Sequence, residues 1–237
     1  SSLLSNTNGE NNTSIGANAL YSNTTGSANA AIGSSALYSN TTGSQNTAVG
    51  ESALYSNTTG ITNSALGQWA LYSNTTGTQN TGIGWGTLYK NTTGNRNTTL
   101  GNGAMYFNTT GNSNTALGLS ALYYNTTGFS NSAIGDISLF SNTTGDNNVA
   151  NGKSSLFSNT IGSANTAIGS YSQLSNLSGN ENIGITIPLK FIIPSTNSGA
   201  SGTGVSFVYL IISCKFSISK AYSSLPILNT AISLASS

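Results

Sequence analysis

This sequence predicts an all-β fold: a parallel β-solenoid (β-roll) of about eleven 17-residue coils, followed by a shorter C-terminal β-rich segment. Three observations predict it. The first is an unbroken period. Asn recurs at Asn12, Asn29, Asn46, Asn63, Asn80, Asn97, Asn114, Asn131, Asn148, Asn165 and Asn182, and a second Asn keeps the same spacing from Asn6 to Asn176. A fixed short period is the mark of one structural unit stacked on copies of itself. The second is glycine punctuation. Gly26, Gly43 and Gly60 close N-T-T-G while Gly16, Gly33 and Gly50 close the N-T-A-I-G run, which leaves no stretch long enough for a helix. The third is that Leu, Ile and Tyr stay in register, which a disordered, weakly charged tract has no reason to do.

Each coil, typically A-L-Y-S-N-T-T-G-x-x-N-T-A-I-G-x-x, holds two short segments, A-L-Y-S and N-T-A-I. Turn residues bound both, so two short strands per coil are expected. Coils stacked about 4.8 Å apart would make a rod roughly 50 Å long. Side chains alternate along a strand. The column Leu20, Leu37, Leu54, Leu71, Leu88, Met105, Leu122, Leu139 and Leu156 is therefore assigned to the interior. So is Ile15, Ile32, Val49, Leu66, Ile83, Leu100, Leu117, Ile134 and Ile168. Ala36, Tyr38 and Ala48 should then point outward. The Asn columns sit at the turns, where stacked amides can bond from coil to coil. Seven of the eight charges of the repeat region fall within two residues after a Gly, which marks those corners as solvent-facing; Lys90 is the exception.

Beside the Leu column runs an aromatic one: Tyr21, Tyr38, Tyr55, Tyr72, Tyr89, Tyr106, Tyr123, Phe140 and Phe157. If it faces out it is a long apolar strip, suited to packing against a neighbouring chain. The repeat fades after Ile185, which divides the chain into a solenoid at 1–187 and a capping or assembly segment at 188–237. There, β segments are expected at 189–193, 205–220 and 225–234. Val205, Phe207, Val208, Tyr209, Leu210, Ile211 and Ile212 are apolar on both strand faces, so the segment must pack on the last coils or on another subunit. A solenoid whose first coil is uncapped presents an open strand edge, and a tail that joins it would build an end-to-end filament.

Composition excludes several function classes. The chain has no His, one Cys, and only 5% charged residues with a net charge of +1. No triad or recurring carboxylate pair can be assembled, so an enzyme is not expected, nor is a cofactor or metal site. No basic stripe offers itself to nucleic acid. The longest apolar run, near 205–212, is far short of the roughly 20 residues of a membrane span. Two kinds of site remain. N-T-T matches the N-glycosylation acceptor at Asn23, Asn40, Asn57, Asn74, Asn91, Asn108, Asn125 and Asn142, and N-T-T at Asn97 adds a ninth. Trp69, Trp85, Phe129 and Tyr171, at corner positions, are candidate stacking platforms for a ligand such as a surface glycan.

N-T-A-I-G at Asn165–Gly169, and the equivalent run from Asn46 to Gly50 with Ala53 beyond it, resembles the head repeat of trimeric autotransporter adhesins. Repetitive stretches of phage tail fibres and bacterial surface-fibre proteins are similar. The resemblance covers residues 1 to about 187, with a longer coil than in the adhesin family. It implies a left-handed parallel β-roll, a three-chain head and an extracellular, cell- or virion-surface setting. The leading expectation is a structural subunit of an extracellular fibre or adhesin-like appendage that associates with itself, as a filament or a trimer. The alternative is a carbohydrate- or receptor-binding fibre. An ice-binding solenoid also resembles N-T-x-x-G, but adjacent Thr24 and Thr25 leave only one Thr per coil to point the same way.

Overall fold

The computed structural model describes residues 1–186 and three further strand segments, Leu189–Phe191, Val208–Leu210 and Cys214–Phe216. Residues 1–186 form the expected β-solenoid. One three-residue strand recurs in every coil, from Thr13–Ile15 through Ala30–Ile32, Thr47–Val49 and onward to Ile183–Ile185. These eleven strands pair in parallel and in sequence order, each residue opposite the one seventeen positions on, as in Thr47↔Ser64, Ala48↔Ala65 and Val49↔Leu66. No helix occurs among the described residues.

The second expected strand per coil is absent, for a local reason. In A-L-Y-S the Leu adopts a left-handed conformation, with φ of 52° at Leu37 and 53° at Leu54. A left-handed residue breaks the pleat, so the segment turns. It still bonds from coil to coil: Leu37 N–H donates to Ala53 O at 3.0 Å and Ser39 N–H to Tyr55 O at 3.0 Å.

That turn also changes which side chains face inward. Leu20 to Leu156 are fully buried, as expected, but so are Ala36, Ala53 and Ala70 beside them. In the strand the assignment reverses. The central residue, Ala31, Ala48, Ala65 or Ala116, is buried, and the flanking aliphatic column points out. Ile15 is 59% exposed and Leu100 50%. The coil is too thin to hold two large aliphatic columns. Leu from one side meets Ala from the other, and the core consists of Leu and Ala.

The Asn columns are interior, buried from Asn23 to Asn159 and from Asn29 to Asn165 and half-buried in the end coils. Asn40 Nδ2 donates to Asn23 Oδ1 at 2.8 Å in the preceding coil and to Gly43 O at 2.9 Å in its own. Asn46 Nδ2 donates to Gly60 O at 2.8 Å, and Asn46 N–H to Asn29 Oδ1 at 3.0 Å. These amides satisfy buried backbone groups at corners where the sheet ladder stops. Asn23, Asn40, Asn57, Asn74, Asn91, Asn97, Asn108, Asn125 and Asn142 are therefore buried rather than displayed. A glycan on any of them is incompatible with the folded coil. Of each Thr pair, the first uses its hydroxyl inside the stack (Thr24 Oγ1 to Thr41 O, 3.0 Å) and the second faces solvent.

Glycine is required where coils approach most closely. At Gly50, φ is 131°, and an added Cβ would stand 2.6 Å from Gly67 O of the next coil.

Beyond the solenoid, Leu189–Phe191 pairs antiparallel with Val208–Leu210. Cys214–Phe216 pairs antiparallel with Ile183–Ile185 and extends the sheet past its last coil. The tail thus adds a strand to its own solenoid, where an intersubunit joint was the expectation. Of the joint residues, Val208, Tyr209 and Leu210 pair within the chain; Val205, Phe207, Ile211 and Ile212 lie outside the described residues, as does the segment expected at 225–234.

Candidate functional site

The aromatic column is the most prominent side-chain array outside the core. From Tyr21 to Phe157 successive rings stack with centroids 4.9–5.5 Å apart and interplanar angles of 1–21°. Each ring is half-buried because its neighbours in the stack cover its faces. What the ladder shows to solvent is ring edges.

In mid-rod this regular ladder is widened on both sides. On one flank, Trp69 and Trp85 lie 5.7 Å apart; Trp69 meets Tyr89 edge-on at 6.4 Å, and Trp85 stacks on Tyr106 at 6.3 Å. Gly86 and Gly103 make room for the ladder here. A Cβ at either would stand 3.3 Å from the ring of Tyr106 or Tyr123 respectively.

The other flank was not singled out from the sequence. The residue after each ladder aromatic is Ser at 22, 39, 56, 73, 141 and 158, but Lys90, Phe107 and Tyr124 occupy that place in three successive coils. This interruption of a constant column was the available signal. Lys90 Nζ sits 5.2 Å from the centroid of the Tyr89 ring, a cation–π contact. Phe107 stands edge-to-face with Tyr106 and Tyr123, at 63° and 79°. Tyr124 does the same with Tyr123 and Phe140, at 85° and 87°.

Electrostatics in this belt are mild. Burial, followed by the neighbouring phenols Tyr89 and Tyr123, raises the Tyr106 hydroxyl above the ordinary tyrosine value. Among the described residues, Lys153–Asp136 forms an ion pair at 3.9 Å, and both partners are exposed. No three His, Cys, Asp or Glu side chains come together to hold a metal among those residues.

Of the four stacking candidates, the structure brings Trp69 and Trp85 together. Phe129 lies at the other corner, after Gly128, and Tyr171 shares the Trp69 column six coils away. Both are exposed and neither joins the belt.

A second surface is the outer face of the parallel sheet. It carries a column that is Thr or Ser in every coil except at Ala30, Val149 and Ile183, and beside it the displaced aliphatic column from Ile15 to Ile185. None of the charged residues lies on it.

No family model, curated protein or solved structure matches the chain.

Proposed function

We propose that the chain is a non-enzymatic structural subunit of an extracellular fibre or adhesin-like appendage, associating side by side with copies of itself. The observation that carries this reading is the uncharged outer face of the sheet. Its aliphatic column points outward through eleven coils, exposed except at half-buried Val49 and Leu117, with Asn151 as the single polar interruption. A stripe roughly 50 Å long and on the order of 10 Å wide offers about 500 Å2 per copy. Two copies face to face would bury about 1,000 Å2, enough for a specific interface. The column also recurs at every coil, so a second copy matches its spacing along the whole rod.

This face is better suited to self-association than the aromatic ladder expected from the sequence, whose ring faces are already used within the chain. End-to-end joining has less support, because Cys214–Phe216 pairs with the last coil of its own solenoid. The resemblance of the repeat to adhesin heads and tail fibres points to the same class of protein and to a cell or virion surface.

Sedimentation equilibrium with electron microscopy of the purified chain tests the proposal. Side-by-side assemblies are expected, and they should dissociate when Ile32, Ile83 and Ile134 are together replaced by Lys, with circular dichroism unchanged. A native chain that remains monomeric at high concentration would overturn it.

A further inference from the structure

We propose that Asn151 sets the direction and register in which two copies meet: the rods lie parallel, coil matched to coil, with the two Asn151 amides bonded to each other. This rests on the face-to-face association proposed above and adds a specific mode of pairing to it. An aliphatic column that repeats at every coil cannot choose a register by itself. Its outward residues are Ile, Val or Leu at ten of eleven positions. Slipping one rod by a single coil therefore forfeits only about a tenth of the contact. Such a column needs one position that differs.

Asn151 is that position. It is exposed, and its neighbours along the column are Ile134 and Ile168, 38% and 44% exposed. Asn residues of the interior columns bond from coil to coil, whereas the Asn151 amide bonds to no side chain or backbone group among the described residues. The strand Val149–Asn151 reads V-A-N where Thr166–Ile168 reads T-A-I, so polar and apolar have changed places across the face. Val149, 40% exposed, keeps one outward aliphatic residue in that coil.

Chemistry and overlap then select among the pairings. A primary amide both donates and accepts, so two facing Asn side chains can exchange N–H···O bonds. Opposite an aliphatic residue, the same amide is buried without a partner, which weakens the pair about tenfold or more for each copy. Parallel rods in register, aliphatic column on aliphatic column, set Asn151 against Asn151 and keep all eleven coils in contact. Slipped by one coil, the two Asn151 residues face Ile134 and Ile168. Antiparallel rods in full overlap set Asn151 against Val49, and antiparallel rods centred on Asn151 keep only five of the eleven coils. A single polar residue in an apolar seam fixes the register of coiled coils for the same reason.

Disulfide trapping in a Cys214→Ser background, which removes the only native thiol, tests this. Ile32→Cys and Ile168→Cys lie at exposed positions near opposite ends of the column. On mild oxidation each variant should form a covalent dimer with itself, and a mixture of the two should give no mixed dimer. In every mixture one partner is isotope-labelled, so that mixed dimers are read by mass; labelled and unlabelled Ile83→Cys, which must combine, control for subunit exchange. Leu66→Cys mixed with Ile83→Cys, one coil apart, should also give no mixed dimer. Adding Asn151→Ile to both should free the register and make that mixed dimer appear. Mixed dimers of Ile32→Cys with Ile168→Cys would overturn the parallel direction. A crosslinking pattern that Asn151→Ile leaves unchanged would overturn the role of Asn151 while the face-to-face reading stands. A parent chain that sediments as a monomer, or an oligomer in which no column position crosslinks, would overturn both.

Discussion

Removing one amide from the interior Asn ladder should destabilise the rod far more than removing any outward Thr. Asn80 is fully buried in mid-rod. Its Nδ2 donates to Gly94 O at 2.8 Å and Asn63 Oδ1 at 3.2 Å, and its Oδ1 accepts from Asn97 N–H at 3.0 Å and Asn97 Nδ2 at 3.1 Å. In Asn80→Ala, Gly94 O keeps a donor in Asn91 Nδ2, and Asn97 Nδ2 keeps Gly111 O. The Asn97 backbone N–H is left buried with no acceptor. An orphaned buried donor costs about 1–3 kcal/mol, and the vacated volume adds on the order of 1 kcal/mol, so a loss of about 3 kcal/mol is expected. Asn80→Asp separates donation from shape. A carboxylate there still accepts from Asn97 but faces the Gly94 and Asn63 oxygens, and burial disfavours its charge. Its folded pKa is thereby raised, so this variant should gain stability as the pH falls and lose it as the pH rises. Guanidinium unfolding read by Trp emission serves as the assay, because Trp85 belongs to the same coil. In a stack, stability is a sum of coil and neighbour terms, so the Trp transition should shift more than the far-UV signal. Thr76→Ala, in the exposed column, should stay within about 0.5 kcal/mol of the parent. Equal effects of Asn80→Ala and Thr76→Ala would refute the reasoning.

Two other predictions concern close approach and ionisation. Gly50→Ala places a methyl group against Gly67 O at a backbone angle that L residues avoid, and should cost about 3–5 kcal/mol; calorimetric unfolding at the parent temperature would contradict this. The Tyr106 phenol should titrate above the usual value of about 10, which absorbance difference between the parent and Tyr106→Phe would resolve. Because its folded pKa is raised, the neutral phenol favours the fold below the unfolded pKa, and that contribution is lost as pH climbs through the folded pKa.

The architecture was legible because the period is carried by residues whose roles survive any detail of the coil: Asn at buried corners, Gly at close approaches, Leu in the core. What was not legible is the conformation of Leu37 and its equivalents. Left-handed Leu is rare, and nothing in A-L-Y-S distinguishes it from a short strand. That one conformation misplaced Ala36, and the thin core it encloses placed Ile32 outside and Ala31 inside. The same kind of miss affected the site. Trp69 and Trp85 were visible as large aromatics at variable corners, whereas Phe107 and Tyr124 were not singled out, although with Lys90 they interrupt a column that is otherwise Ser. Only their ring planes, at 63–87° to those of the ladder, set them apart from it.

The left-handed residues also bear on how the C-terminal end of the rod is built. Ser52, Leu54 and Thr62 all have φ near 55°, and each such residue costs roughly 1–2 kcal/mol. One coil alone has no means of holding three of them; the bonds to the coils above and below do so. A terminal coil has only one such neighbour. The last coil shows the consequence. Gln173 occupies the Leu column with φ of 48°, and its Oε1 is buried without a partner. Gly184 replaces the inward Ala, and a Cβ there would stand 2.5 Å from Gln173 Cγ. The amide ladder stretches too, with Asn176 Nδ2 now 3.4 Å from Asn159 Oδ1. The Leu/Ala core therefore stops one coil before the parallel sheet does. The antiparallel strand Cys214–Phe216 supplies Ile183–Ile185 with backbone bonds that a twelfth coil would otherwise have made. Strand pairing thus outlasts the core at this end of the rod.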